Sequence, residues 1–460
     1  MAREEFLGKR VAVAGMGVSG RAVAVTLKEL GANPVVFDQK LGDVPEVLAA
    51  TDQLVALEIE AVTGWHGHLD PDEFDALIVS PGFRRDHLAI QDMAEKEVMS
   101  EVEFASRLTD RPILAITGTN GKSTTTVMLW TILKGGGHDA LLCGNIAGSG
   151  YPEMTLTRAA MEAGPESVLV AEVSSYQLEF VTKFRPKVAA CTNVTPDHMD
   201  RHPDFDDYFQ TKMRLFGQMG EGDAVVINLD EPSLQVTDLR KPLTNSATIV
   251  QFSPQGKSVG ENGVTRRKGN SVVLSGETVG LEEFPFFGEH NFSNALMAWE
   301  MASCYSRPTI GCLDALRSFR GLSNRMEFLG VRDGIWVFNN SMCTNPAAVI
   351  ASSRSLPRRQ TLLMGGNTKN LDFDPVADYL SRSSHRVVLF GLDGEKLNGM
   401  LGGAWPIYPT LASAFDAAVS QSAKEEAILL SPGCASSEPY VNFKERGDAF
   451  RKIARDWLDT

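Results

Sequence analysis

Thr117-Gly118-Thr119-Asn120-Gly121-Lys122-Ser123-Thr124 is the stretch on which the reading of this chain turns. The apolar run Ile113-Leu114-Ala115-Ile116 precedes it, and a helical pattern follows from about Thr125 to Lys134. A strand that feeds a glycine loop and then a helix aims backbone N–H groups and a helix N-terminus at an anion. The Lys122 ammonium can reach the outer phosphates of a nucleotide, and the Ser123 hydroxyl suits Mg²⁺. The loop departs from the general phosphate-loop pattern, because Ile116 stands at the usual first glycine position. A bare Gly-Lys-Ser is commonplace, so the strand before it and the helix after it carry the reading. Gly118, Thr119, Asn120, Gly121, Lys122, Ser123 and Thr124 are the expected phosphate contacts.

Upstream, the β-like run Arg10 to Ala14 leads through a glycine turn to a helical pattern over Ala22 to Leu30. The strand Pro34 to Phe37 follows and ends at Asp38, which makes a βαβ opening. Ala76 to Val79 reads as a further buried strand, stopped by Ser80-Pro81-Gly82. Downstream, Ser167 to Ala171, Val188 to Cys191 and Ala224 to Ile227 are strands of a mostly parallel sheet. After a helical stretch at Leu313 to Phe319 come strands Ile335 to Phe338, Gln360 to Met364, Arg386 to Leu389 and Ala427 to Leu430. The fold class is therefore α/β in three domains. These are an N-terminal Rossmann-like domain (1–107), a central P-loop ATPase-type domain with a mostly parallel sheet (108–320), and a C-terminal Rossmann-like domain (321–460).

With 460 residues the chain is too long for a single core. Its 44 Lys and Arg against 58 Asp and Glu give a formal charge of −14. That balance argues against a general nucleic-acid binder and leaves room for a small anion held by a few placed cations. The six cysteines are scattered without a CxxC pair, so neither a zinc site nor a disulfide framework is expected. The N-terminus lacks an apolar leader, and no stretch is long and apolar enough to span a bilayer. A cytoplasmic monomer without membrane insertion is the expectation.

The string from Thr117 to Thr124 resembles the loop of the Mur ligases and the related folylpolyglutamate synthases. Further resemblances follow in the family's order: Gly144-Asn145-Ile146, Glu172-Val173-Ser174-Ser175-Tyr176-Gln177-Leu178, Asn193-Val194-Thr195-Pro196-Asp197-His198-Met199-Asp200-Arg201, Lys212, Gly288 to Ala295, and Asn324-Arg325-Met326-Glu327. Ser431 to Ser436 and Phe443 to Gly447 are most similar to the branch that adds D-glutamate to UDP-N-acetylmuramoyl-L-alanine in peptidoglycan precursor synthesis. The resemblance implies an ADP-forming ligase using ATP and Mg²⁺. It implies catalytic roles for Lys122, Glu172, His198 and Lys212. Ser123, Glu172, His198 and a carbamylated Lys212 would be metal ligands. Asn291, Asn294, Arg325 and Asn340 would join the loop in ATP binding. Val18, Ser19, Asp38, Gln39, Lys40, Ser80, Gly82, Asn145, Ser174 and Gln177 would hold the UDP-linked substrate, and Thr344, Ser436 and Phe443 the amino acid.

Taken singly, a strand-end Glu172 is usually solvated, His198 is a loop histidine and Lys212 a surface lysine. Their order behind the phosphate loop is what gives them a role. The chain departs from the branch at Asn340 and Met342, where the resemblance would place Asp and Lys, and at Asn324 and Asn367. These departures leave ATP use intact and open the identity of the amino acid, with L-glutamate as the alternative. Gly15-Met16-Gly17-Val18-Ser19-Gly20 with Asp38 also fits an NAD-linked dehydrogenase, which would leave the second loop unexplained. A nucleotide-binding protein without catalysis is a further reading, opposed by the retained Lys122, Glu172, His198 and Lys212.

Overall fold

Residues 2–199, 201–234, 246–257, 267–268, 271–274, 277–280, 283–284, 288–369 and 371–460 are described in the computed structural model. Asp200 of the His198 signature lies outside them.

Three sheets organise the chain, and a small antiparallel one is formed by Arg267–Lys268, Ser271–Leu274 and Glu277–Gly280. The first has five parallel strands in the order Glu60–Val62, Asn33–Phe37, Arg10–Ala14, Ala76–Val79, Glu97–Ser100. The chain starts in the middle, winds one way, then returns to wind the other. The topological switch point lies between Arg10–Ala14 and Ala76–Val79, where such sheets bind ligands beyond their carboxyl ends. Gly15 and Ser80 leave those two strands side by side.

The second sheet has seven strands in the order Thr248–Phe252, Ala224–Asn228, Val188–Cys191, Ile113–Thr117, Ser167–Glu172, Asp139–Gly144, Glu153–Met154. Ile113–Thr117 is buried at every position, as a central parallel strand covered on both faces must be. Its neighbours are Val188–Cys191 and Ser167–Glu172. Parallel strands share one carboxyl edge. The phosphate loop, Glu172 and the segment after Cys191 are thereby delivered to the same place.

The third sheet runs Glu327–Arg332, Ile335–Asn339, Ala427–Leu430, Gln360–Gly365, Arg386–Phe390, Ile407–Tyr408. All its pairings are parallel except that of the edge strand Glu327–Arg332. Each of the three sheets has its own apolar core, as in Phe104, Leu27 and Val36 of the first, Leu169, Phe216 and Tyr208 of the second, and Phe338, Leu389 and Leu429 of the third.

The chain packs as two compact units. One comprises Met1–Ala147, Tyr151–Leu281 and Ser293–Arg317, and the other Gly148–Gly150, Glu282–Phe292 and Ser318–Thr460. The first unit holds both the first and second sheets. Helix Glu101–Leu108 joins them. Its buried Glu103 carboxylate accepts the N–H groups of Thr182, Lys183 and Phe184 and is met by the Arg107 guanidinium. Its buried Glu101 accepts both the N–H and the hydroxyl of Thr157.

The strands read from the sequence are all present, extended by a residue at several ends: Asn33–Phe37, Ser167–Glu172, Ala224–Asn228, Ile335–Asn339, Gln360–Gly365 and Arg386–Phe390. Helix Lys122–Gly135 begins earlier than the Thr125 expected. Strands Glu60–Val62, Glu97–Ser100, Asp139–Gly144, Thr248–Phe252 and Glu327–Arg332 had not been singled out.

Candidate functional site

In the first unit, the loop after Ile113–Thr117 is built on two glycines that nothing else can replace. Gly118 has φ 141°, and a Cβ there would collide with Thr192 Oγ1. Gly121 has φ 84°, and a Cβ would lie 2.6 Å from Asn294 Oδ1. The neighbouring strand's exit braces the loop: Asn193 O accepts from Thr119 N, and the Asn193 side chain accepts from Asn120 N and donates to Asn120 O. Thr192 Oγ1 donates to Asn120 O at 2.6 Å. The Thr119 hydroxyl lies 3.1 Å from the Tyr208 hydroxyl. Gly121 is the N-cap of helix Lys122–Gly135 and offers no side-chain cap, as suits a helix N-terminus that receives an anion. Ser123 and Thr124 sit half-buried in that first turn.

Two ammonium groups converge on one carbonyl here. Lys122 Nζ donates to Gly118 O and Thr119 O, both at 2.9 Å, and Lys212 Nζ donates to Gly118 O at 2.8 Å. Lys212 comes from helix Phe205–Met213, is 2% exposed, and lies over the Tyr208 ring. Burial, with the Lys122 charge adding to it, brings its pKa down to about 8.

Glu172 ends the other neighbouring strand and is 2% exposed. One carboxylate oxygen accepts from Asn145 Nδ2 at 3.2 Å, and the other is buried without a hydrogen-bond partner. A buried carboxylate oxygen with no donor is costly unless a cation meets it. His198 has φ 56°; its Nδ1 lies 2.8 Å from the Tyr176 hydroxyl and its Nε2 3.5 Å from Asp197. Among the described residues, no group of three or more His, Cys, Asp or Glu side chains is gathered as a ready metal cage. The spare oxygen of Glu172 fits a hard cation that completes its shell with phosphate oxygens and water. Ser174 caps the turn Ser175–Leu178 in a capping box with Gln177, so those two expected substrate contacts also order the backbone after Glu172.

At the switch point of the first sheet, the Ser80 hydroxyl is buried without a partner. Gly20 packs against the Gly15 carbonyl so closely that a Cβ would overlap it. Helix Val18–Glu29 starts there with Val18 exposed. Asp38 accepts from Met16 N and Lys40 N, both at 2.9 Å, so its carboxylate clasps the glycine loop. Gln39 lies 3.2 Å from His87 Nε2. Gly82 has open space where a side chain would stand.

The second unit carries the other named residues. Met342 Sδ accepts from Arg325 Nε at 3.4 Å and Nη2 at 3.1 Å, and the Met342 N–H donates to Asn324 O. Asn340 Oδ1 accepts from Met326 N. The buried Arg446 guanidinium binds Ser341 O, Ser341 Oγ and Cys434 O, and the Ser341 hydroxyl donates to Phe443 O. Burial brings the Arg446 pKa down to about 10. The Ser436 hydroxyl is buried without a partner. Thr344 is half-buried after Cys343, Phe443 opens helix Phe443–Leu458, and Asn291 lies in the first turn of helix Glu289–Tyr305.

Sequence reasoning passed over Thr192, Tyr208, Glu179 and Arg85, and quoted Asn193 and Arg201 without giving them a role. Thr192 and Asn193 could have been found by asking what braces a loop that lacks its usual first glycine. Arg85 has no local signal.

A glycine loop on a central parallel strand, with a buried lysine and a carboxylate oxygen beside it, defines a nucleotide-phosphate-binding α/β enzyme. A family model for the Mur ligase middle domain matches residues 116–302. The UDP-N-acetylmuramoylalanine--D-glutamate ligase of Caldanaerobacter subterraneus subsp. tengcongensis is 35% identical over 98% of this chain and 99% of its own length. The ligase of the same name from Salinibacter ruber is 32% identical over 100% of both. The chain is similar in fold to the UDP-N-acetylmuramate-alanine ligase of Thermotoga maritima, with TM-score 0.55 at 17% identity over 98% of this chain and 100% of that one. A UDP-N-acetylmuramoyl-L-alanyl-D-glutamate--2,6-diaminopimelate ligase gives TM-score 0.59 at 15% identity, covering 100% and 94%. The chain belongs to the Mur ligase family. The dehydrogenase reading is thereby set aside, and Asp38 is accounted for as the clasp of the first glycine loop.

Proposed function

We propose that this protein adds D-glutamate to UDP-N-acetylmuramoyl-L-alanine, with ATP converted to ADP and phosphate. The observation that carries the chemistry is the shared carboxyl edge of the central sheet, where Lys122 and Lys212 meet the phosphate loop and Glu172, with its spare oxygen, ends the adjacent strand. The named relatives, similar from end to end, supply the substrates.

An amide cannot form directly from a carboxylate and an amine, because oxide is too poor a leaving group. In this reading the alanyl carboxylate oxygen attacks the γ-phosphorus and the bond to ADP breaks. The amine of the amino acid then attacks the acyl carbon, phosphate leaves, and a proton is lost from nitrogen. The protein's share is placement and charge neutralisation. Gly118 to Thr124 hold the phosphates through N–H groups, with Lys122 turning from the loop carbonyls to the outer phosphate. By the family resemblance, Asn291, Asn294, Arg325 and Asn340 would take the rest of the nucleotide. Ser123, Glu172 and His198 would hold Mg²⁺, which would supply positive charge to offset that of the reacting anions. Lys212, carbamylated by CO₂ with loss of a proton, would become a second anionic ligand.

The Gly15 and Ser80 turns, with Val18, Ser19, Asp38, Gln39, Lys40 and Gly82, take the UDP end, and Asn145, Ser174 and Gln177 its acyl end. Thr344, Ser436 and Phe443 take the amino acid. The domains on this reading are residues 1–107, 108–320 and 321–460. Phosphate release with ATP, UDP-N-acetylmuramoyl-L-alanine and a panel of amino acids tests it. Release with D-glutamate alone is expected. Release with L-glutamate in its place would transfer the assignment to that amino acid, and none with any would remove it.

A further inference from the structure

The turn that leaves strand Ala76–Val79 carries Ser80 and Gly82 and continues into Phe83-Arg84-Arg85-Asp86. Arg85 reaches away from the first sheet to helix Phe205–Met213. Its Nη1 donates to Asp207 Oδ1 at 2.8 Å and its Nη2 to Thr211 Oγ1 at 2.7 Å. Positions 207 and 211 are four apart and lie on one face of the helix. Thr211 is the residue before Lys212, whose ammonium holds the Gly118 carbonyl. The planar fork of a guanidinium fixes both contacts at once, which a lysine cannot do.

A second arginine closes the connection from the other side. Arg201, in the signature that carries His198, donates through Nη1 to Pro81 O at 2.9 Å and through Nη2 to Phe83 O at 2.5 Å. The same guanidinium grips the buried Glu179 with two bonds of 2.8 Å. Asp207 is also held by His202 Nδ1 at 2.7 Å. The turn Ser80–Asp86 and the helix of Lys212 are thus two ends of one polar network. Arg85 bonds to neither the phosphate loop nor Lys212, so whatever it does it does through the helix.

We propose that Arg85 is a positioning residue that makes the placement of Lys212 depend on the turn Ser80–Asp86, and so couples the UDP-substrate site to the phosphate loop. The role of that turn rests on the function proposed above; the link from Arg85 to Lys212 does not. A staple that merely joins two sheets would affect stability without singling out Lys212 or one substrate.

The test uses full-length Arg85→Gln, Arg85→Lys and Asp207→Asn. In CO₂-free buffer without ligands, each protein is exposed to a small amine-reactive reagent, and labelling of each lysine is followed by peptide mass spectrometry. Arg85→Gln should label Lys212 several-fold faster while Lys183 and Lys187 keep their rates, with Arg85→Lys between. In phosphate-release assays, Arg85→Gln should raise the KM for UDP-N-acetylmuramoyl-L-alanine about tenfold, or ~1.4 kcal/mol, and that for ATP less than twofold. Asp207→Asn should do the same, and the double variant no more, because both remove one link. Unchanged Lys212 labelling in Arg85→Gln overturns the proposal, as does a rise shared by all lysines or additive effects in the double variant. A wild-type protein that releases no phosphate with these substrates would remove the substrate assignment, and the labelling would still decide the role of Arg85.

Discussion

Glu300 lies in helix Glu289–Tyr305 with 0% exposure, and neither of its carboxylate oxygens has a hydrogen-bond partner. Burial pushes its pKa up from 4.5 to about 8. Well below pH 4.5 the folded and unfolded chains both carry the proton, so the charge of Glu300 costs nothing there. As the pH rises from 4.5 towards 8, the unfolded chain gives up its proton while the folded one keeps it. Stability therefore falls across that window and levels off above about 8. The full difference, 8 − 4.5 = 3.5 units, corresponds to a ceiling of ~5 kcal/mol. At pH 6 the corresponding difference is 1.5 units, or ~2 kcal/mol. Relaxation of the surroundings trims such ceilings. Glu300→Met, similar in length and apolar, is expected to gain about 2 kcal/mol at pH 8.5, about 1 at pH 6 and almost nothing from charge at pH 4.5. Urea unfolding at these pH values, followed by tryptophan emission with Trp299 as the neighbouring buried reporter, measures the gain. Glu300→Gln should lose the same pH slope while keeping the cost of an unpaired polar group. An equal gain at all three pH values would refute the charge argument and leave only packing. A loss at pH 8.5 would show that the carboxylate has a partner in solution.

Lys122→Ala should lower phosphate release at least ~100-fold, the scale for losing one charged group at a developing anion, and near-normal turnover in a folded variant would remove the phosphate-loop assignment. Lys212→Ala should be nearly inactive and partly recovered by acetate, which supplies a carboxylate where the carbamate would stand; full activity without acetate would take Lys212 out of the mechanism. Met342→Lys should lower the KM for D-glutamate and leave that for ATP almost unchanged, because free glutamate brings two carboxylates and an ammonium binds a carboxylate better than a thioether does. A joint change in both constants would show instead that the substitution acts through Arg325, which the Met342 sulfur holds.

Much of the architecture was legible because parallel strands announce themselves as short apolar runs. Ile113–Thr117 and Ala427–Leu430 are buried at every position and read directly. Strands with polar residues among the apolar ones did not. Thr248–Phe252 is an edge strand with an exposed Thr248 and only Val250 and Phe252 fully buried. Glu327–Arg332 has no fully buried position, and its pairing slips between Phe328 and Gly330. In the candidate site, motif residues were legible because their spacing is set locally by one loop or strand end. Arg85 was not, because its partners lie 122 and 126 residues away and nothing near it in the chain differs from an ordinary exposed turn.

The Gly118 carbonyl shows how this loop is held. It accepts from Lys122 and Lys212 together, with no carboxylate among these contacts to balance them. Two ammonium groups sharing one neutral oxygen repel each other, and the more buried one yields. Lys212 is 2% exposed and titrates near 8. At pH 7 about one-tenth of an amine with that pKa is neutral, some 300-fold more than for an ordinary lysine. The neutral amine is the form that attacks CO₂, so the burial that makes Lys212 a poor cation makes it a good carbamate precursor. The carbamylation proposed above would end its competition for Gly118 O, leaving there the positive charge of Lys122 alone, which could then turn to a phosphate. On this argument the reactivity of Lys212 and the freedom of Lys122 are two consequences of one crowded carbonyl.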